Sequence, residues 1–135
     1  MAAGEAHCDA APMVRCLIVD DSPVFLAAAS GLLRHQGIVV VCVAANGAEA
    51  LRGAERERPD VALVDLDLGG ESGLDLAERL YRRSVPTILM STHAEQDYRD
   101  LITASPAIGF LPKMSLSGCV IVRLLDGAAT GPPER

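Results

Sequence analysis

Five side chains that could do chemistry stand directly behind apolar runs. Asp20 and Asp21 follow Cys16-Leu17-Ile18-Val19, Asp65 follows Val61-Ala62-Leu63-Val64, Ser91 follows Ile88-Leu89-Met90, and Lys113 follows Gly109-Phe110-Leu111-Pro112. Brought together, three carboxylates repel, and at least one should hold a proton unless a cation neutralises them. A hard divalent ion with oxygen ligands does so. Mg2+ binds through one or two carboxylates, keeps several waters and shares its shell with a phosphate. A hydroxyl and an ammonium opposite would hold phosphoryl oxygens. The set suits phosphoryl transfer by positioning and charge stabilisation, with a carboxylate as nucleophile.

Those side chains meet only if the elements behind them are parallel strands. The near-continuous apolar runs Val14–Val19, Ile38–Ala44, Val61–Asp65, Thr87–Met90 and Ala107–Leu111 read as five strands buried on both faces. Helical segments alternate with them. Ser22-Pro23 opens the first, which ends at Gly37 and carries Phe25, Ala28, Ala29 and Leu32 as an inward stripe. Asn46 caps the second, with Ala50, Leu51 and Ala54 inward, and the third runs from Gly73 to Arg83 with Leu76, Ala77 and Leu80 inward. A weaker fourth spans Ala94–Ala104, and Ser115 caps a fifth over Leu116–Leu125. Strands alternating with helices predict an α/β, doubly wound five-stranded parallel sheet with five helices. Such sheets place chemistry outside the carboxyl ends of their strands. Asp65, followed by the glycine-rich turn Gly69-Gly70-Glu71-Ser72-Gly73, is the central candidate.

At 135 residues the chain predicts one domain. Residues 1–13 read as a flexible arm, 14–126 as the folded domain and 127–135 as a linker or tail. The net charge of −6 argues against direct contact with nucleic acid, which needs clustered cations. Eleven of the twelve cations are Arg, and Lys113 is the only Lys. Cys8, Cys16, Cys42 and Cys119 lack metal-site spacing and are expected as reduced thiols in a cytoplasmic protein. The N-terminus lacks the basic and apolar regions of a signal peptide, and no apolar run reaches the roughly 20 residues of a membrane helix.

Over residues 14–126 the sequence resembles the receiver domain of two-component response regulators. The resemblance rests on Asp20-Asp21 before Ser22-Pro23, Asp65 with Gly73 eight residues on, Ser91 after Ile88-Leu89-Met90, and Gly109-Phe110-Leu111-Pro112-Lys113. Each motif is common alone; together, in the family's order and on the right strands, they are specific. The resemblance implies the flavodoxin-like strand order 2-1-3-4-5, of which the chemotaxis receiver is a known instance. It implies that Asp65 is the phosphoacceptor for a sensor histidine kinase. Asp21 and Asp65 would bind Mg2+ directly, Asp20 through water, and Asp67 through its backbone carbonyl. Ser91 and Lys113 would contact the phosphoryl oxygens, and Phe110 would be the switch aromatic that turns inward with Ser91. Helix four, strand five and helix five would be the output surface, with a possible homodimer through it. The pattern is similar to receivers that continue into a helix-turn-helix domain, so DNA would be reached only through such a domain.

Several positions depart from the family. Gly69 stands where Pro is common, which predicts a looser loop, and Thr92 stands where a small residue is usual. Lys113 precedes Met114 rather than Pro, so a cis bond cannot be assumed. Asp67 and His93 occupy two variable positions that influence aspartyl-phosphate lifetime in the family. Val24 and Leu26 are candidate kinase contacts, while Tyr81 and Tyr98 read as helix-surface packing. Two other functions fit parts of the pattern. Asp65-Leu66-Asp67 resembles the nucleophile motif of haloacid-dehalogenase phosphatases, but those carry it on the first strand. A receiver can also serve as an interaction module indifferent to phosphate, although no motif position is missing here.

Overall fold

The computed structural model describes residues 14–92 and 99–129. Five strands form one parallel sheet: β1 (Arg15–Val19), β2 (Val39–Ala44), β3 (Val61–Asp65), β4 (Thr87–Ser91) and β5 (Gly109–Pro112). The order is β2-β1-β3-β4-β5. The helices are α1 (Pro23–His35), α2 (Gly47–Glu57), α3 (Gly73–Arg82), α4 (Arg99–Ala104) and α5 (Gly118–Ala129), with a 3-10 turn at Lys113–Ser115. The expected fold class and strand order are therefore both present.

Strand alternation divides the core in two. Leu17, Val19, Ala62, Val64 and Leu89 face α2 and α3, meeting Ala50, Ala54, Leu76, Ala77 and Leu80. Cys16, Ile18, Val61, Leu63, Ile88 and Met90 belong to the other face, meeting Ala29 and Leu33 of α1 and Ile121 of α5. The same parity places Asp65 with Val61 and Leu63, on the α1 side of the sheet. Asp20 continues the parity of Cys16 and Ile18. Two acids from neighbouring strands thus emerge on one face.

Local chemistry sets the helix starts. The Ser22 hydroxyl accepts the Phe25 N–H at 3.2 Å, and Pro23 occupies the first helical position. Asn46 accepts the Glu49 N–H at 2.9 Å, while Glu49 reaches back to the Ala45 N–H at 2.8 Å. Ser72 accepts the Asp75 N–H at 3.3 Å, starting α3 directly after the acid-bearing strand.

Several expectations are corrected. The buried stripe of α1 is Ala29, Ser30 and Leu33 with half-buried Leu26, whereas Ala28 and Leu32 are exposed. Both stripes are mostly apolar and share Ala29, and the observed one includes a buried Ser30, which periodicity of apolar residues does not pick out. Helix α5 is capped by Ser117, which accepts the Val120 N–H at 3.1 Å, because Ser115 is used in the 3-10 turn. The same helix runs on to Ala129, past the expected boundary after residue 126. Strand β5 begins at Gly109 rather than Ala107, and β4 extends to Ser91. The predicted start of the fourth helix, with His93 and Tyr98, lies outside the described residues, as do residues 1–13 and 130–135.

Cys16 and Cys42 are free thiols, as expected, and Cys8 lies outside the described residues. Burial pushes the Cys16 thiol up to about 12, which keeps it inert.

The start of α3 lies hard against β3. A Cβ on Gly73 would sit 2.1 Å from the Asp65 carbonyl oxygen and 2.8 Å from the Leu66 Cα. Both contacts are backbone, so neither can swing aside. Gly73→Ala is expected to destabilise the fold by about 1–3 kcal/mol, read as a lower urea midpoint at unchanged slope. An unchanged midpoint would mean that α3 can leave β3 without cost.

Candidate functional site

The site forms where β1, β3, β4 and β5 end side by side. Asp65, the last residue of β3, is buried. Its Oδ1 accepts the Asp67 N–H at 3.1 Å, and its Oδ2 accepts from Lys113 Nζ at 3.0 Å. Asp20, just past β1, is fully buried. Its Oδ1 accepts the Ser22 N–H at 2.9 Å, and its Oδ2 lies 2.5 Å from the same Lys113 Nζ. That second contact is a close ion pair with a fully buried carboxylate. Lys113, delivered from the end of β5, therefore bridges two strands that are not its neighbours.

The charges do not balance. Asp20, Asp21 and Asp65 each offer an oxygen within 4.8 Å of the others, the one such acidic group among the described residues. Lys113 compensates one of three negative charges. Burial pushes the Asp65 carboxyl above its usual range; the Asp67 N–H and Lys113 pull it back without cancelling the rise, and Asp20 adds to it. Burial works against the Lys113 ammonium, but Asp20 and Asp65 outweigh it and hold its pKa above the ordinary value. The two uncompensated carboxylates and the all-oxygen donor set fit a hard divalent cation.

Asp21 is exposed and presses on the next loop. A Cβ on Gly69 would lie 2.7 Å from Asp21 Oδ2, and Gly69 has φ +68. Proline, locked near φ −65°, could not take this conformation. The loop is nonetheless tied down by contacts of its own. Leu68 is buried, its N–H bonds the Glu71 carbonyl at 3.1 Å, and Asp67 pairs with Ser72 as an isolated bridge. Glu71 also accepts the Gly47 N–H at 2.8 Å, tying the loop to α2. The Asp67 carboxylate is turned to this loop, accepting the Gly69 N–H at 3.2 Å.

Ser91 is buried at the end of β4, in register with Pro112 of β5. Phe110 is half-buried in β5, opposite Leu89, and packs with the α2/α3 core face. Lys113 and Met114 are joined by a trans peptide, as there is no cis bond among the described residues. The strand ends thus bring Asp20, Asp65 and Lys113 into direct contact, with Asp21 beside them.

Sequence reasoning missed Phe25. Read only as core, it does pack against the α1/α5 core, but its ring also lies under the Lys113 ammonium, 4.5 Å from Nζ to the ring centroid. A signal was available: the chain has two Phe and two Tyr, and one of the four stands four residues after Asp21.

Comparison with known proteins agrees with this geometry. The family model described as response regulator receiver domain matches residues 16–121. The DNA-binding transcriptional activator EvgA of Escherichia coli K12 is 28% identical over 85 residues, covering 63% of this chain and 42% of EvgA. The signal receiver domain of response regulator NarL from Mycobacterium tuberculosis superposes with TM-score 0.73 at 30% identity, covering 88% of this chain and 98% of that one. A Burkholderia pseudomallei response regulator, solved with a phosphorylated aspartic acid, calcium ion and citrate, gives TM-score 0.73 at 26% identity, covering 85% of this chain and 68% of that one. The chain spans only about a quarter to a half of the length of the curated relatives it matches.

The raised Asp65 pKa carries a sign. A carboxyl whose proton affinity rises on folding stabilises the fold fully below its unfolded pKa, and that contribution is lost as pH rises through its folded value. At pH 7 the ionised Asp65 is therefore a cost. In metal-free buffer, Asp65→Asn should unfold at higher urea than wild type at pH 7, with the gap closing as the pH falls to where wild-type Asp65 is protonated. A mutant less stable than wild type at pH 7 would show that the Lys113 contact outweighs the burial cost.

Proposed function

The chain belongs to the response regulator receiver domain family, and from that premise we propose that Asp65 takes a phosphoryl group from a phosphohistidine of a sensor histidine kinase. The observation that carries this reading is the buried Asp65 carboxylate, which shares the Lys113 ammonium with Asp20. Receiver domains are signalling domains that accept phosphoryl groups from histidine kinases, and this site supplies the parts such a transfer needs.

An Asp65 oxygen attacks phosphorus, the phosphorus–nitrogen bond breaks, and the imidazole leaves with the bonding pair and takes up a proton. Asp20, Asp21 and Asp65, with the Asp67 backbone carbonyl, are the groups to hold Mg2+. When bound, Mg2+ offsets the charge on the phosphoryl oxygens. Lys113 moves its contact from the Asp65 carboxylate to the phosphoryl oxygens, and the Ser91 hydroxyl donates to another. Asp20 stays behind as the partner that keeps Lys113 at the site.

The acyl phosphate adds about −1.5 to −2 charge where charge is already in excess. Ser91 is drawn toward it, Phe110 follows inward, and the face made by α4, β5 and α5 repacks to control an output segment or a partner. Leu101 of α4 and Met114 after β5 are large exposed apolar side chains on that face, suited to contact with a second copy of the chain. A shift from mostly inactive to mostly active needs roughly 5.5 kcal/mol of differential binding, less where the starting bias is mild. Val24, 80% exposed in the first turn of α1, is placed to meet the kinase, and half-buried Leu26 is a second candidate contact. No helix among the described residues is long and apolar enough to cross a membrane, in keeping with a cytoplasmic partner of such a kinase.

Incubation with acetyl phosphate and Mg2+, read by intact mass, tests the reading. Wild type should gain one phosphoryl group and Asp65→Asn none. No adduct on wild type, or an equal adduct on the mutant, would defeat it.

A further inference from the structure

We propose that Phe25 is a positioning residue of the phosphoryl-transfer site, its ring face seating the Lys113 ammonium between Asp20 and Asp65. The inference rests on the receiver reading above and adds a residue to it.

Four contacts close a circuit. Asp20 Oδ1 accepts the Ser22 N–H at 2.9 Å. Ser22 Oγ accepts the Phe25 N–H at 3.2 Å. The Phe25 ring lies 4.5 Å from Lys113 Nζ. Lys113 Nζ returns to Asp20 Oδ2 at 2.5 Å. The acid that draws Lys113 in is therefore the acid that fixes the start of α1, which in turn aims the ring at Lys113. The helix cap and the cation seat are one construction.

The seat answers a need specific to lysine. Its ammonium is a point charge on a flexible four-carbon stem, with no planar fork to fix its direction. Two carboxylates draw it from two sides, at 2.5 and 3.0 Å, and a further contact narrows where it sits. A ring face within about 6 Å attracts a cation through its quadrupole, most strongly when water is excluded. The Lys113 side chain is only 14% exposed, so the contact is largely desolvated. Phe25 itself is half-buried, packing one side against the α1/α5 core and presenting its ring to the ammonium. The attraction is broad in angle, so the ammonium can pass from carboxylate to phosphoryl oxygen without leaving the ring.

Lys113 is the only lysine in the chain, which makes the test clean. Acetylation of its ε-amine by an N-hydroxysuccinimide ester, resolved from the N-terminal amine by peptide mass mapping, reads how well the ammonium is seated. Phosphorylation by acetyl phosphate at saturating Mg2+ reads the consequence. Phe25→Leu keeps an apolar side chain but removes the ring face. It should label faster and phosphorylate more slowly, each by about threefold to tenfold, with the Mg2+ concentration dependence unchanged. Phe25→Tyr, which keeps the ring, should recover most of both losses. Unchanged labelling in Phe25→Leu, or labelling that rises while phosphorylation does not slow, would overturn the proposal. So would a Tyr variant that behaves like Leu. If wild type forms no adduct at all, the receiver reading fails, and the labelling arm still decides whether the ring seats the lysine.

Discussion

Lys113 and the two acids it bridges set the terms for the rest of the molecule. Among the described residues, Asp20 and Asp65 share this one counter-charge, and Asp21 adds a third carboxylate within reach. Burying such a group without full compensation is unfavourable. The parallel sheet imposes it, because every strand ends on the same edge and parity sends Asp20 and Asp65 to the same face. The core on both faces, dominated by Leu, Ile and Val, supplies the stability against which this local cost is set.

The surrounding loops are shaped by the same crowding. Gly69 gives Asp21 room where a side chain would collide, and Gly73 lets α3 start against the Asp65 carbonyl. Glu71 fastens the loop between them to the start of α2. The segment carrying Gly69 and Gly70 is thus a tied turn with two left-handed residues, held at three points. A loop of this kind keeps the acids in register while leaving Asp67 exposed to solvent.

The acids and the lysine were legible in the sequence because each follows an apolar run, and a run of that kind in an α/β chain has few places to go. The helix count followed from the same pattern, whereas the strand order came with the family resemblance. What could not be read was any choice between equivalent local options. Helix α1 has two overlapping, mostly apolar stripes, and only packing of Leu33 rather than Leu32 decides between them. Ser115 and Ser117 are both good caps, and the 3-10 turn after β5 uses up the first. Phe25 was hidden for a related reason: an aromatic on an amphipathic helix reads as core until the lysine over it is located.

If the charge deficit at the strand ends is what the site is built around, a divalent cation should stabilise the fold through those acids and nowhere else. Thermal unfolding of the full chain in increasing MgCl2, against KCl of matched ionic strength, measures this directly. The midpoint of wild type should climb with Mg2+ in the manner of a ligand that binds only the folded state. In an Asp21→Asn, Asp65→Asn double variant the climb should vanish. A flat wild-type response, or an equal climb in the double variant, would contradict the account.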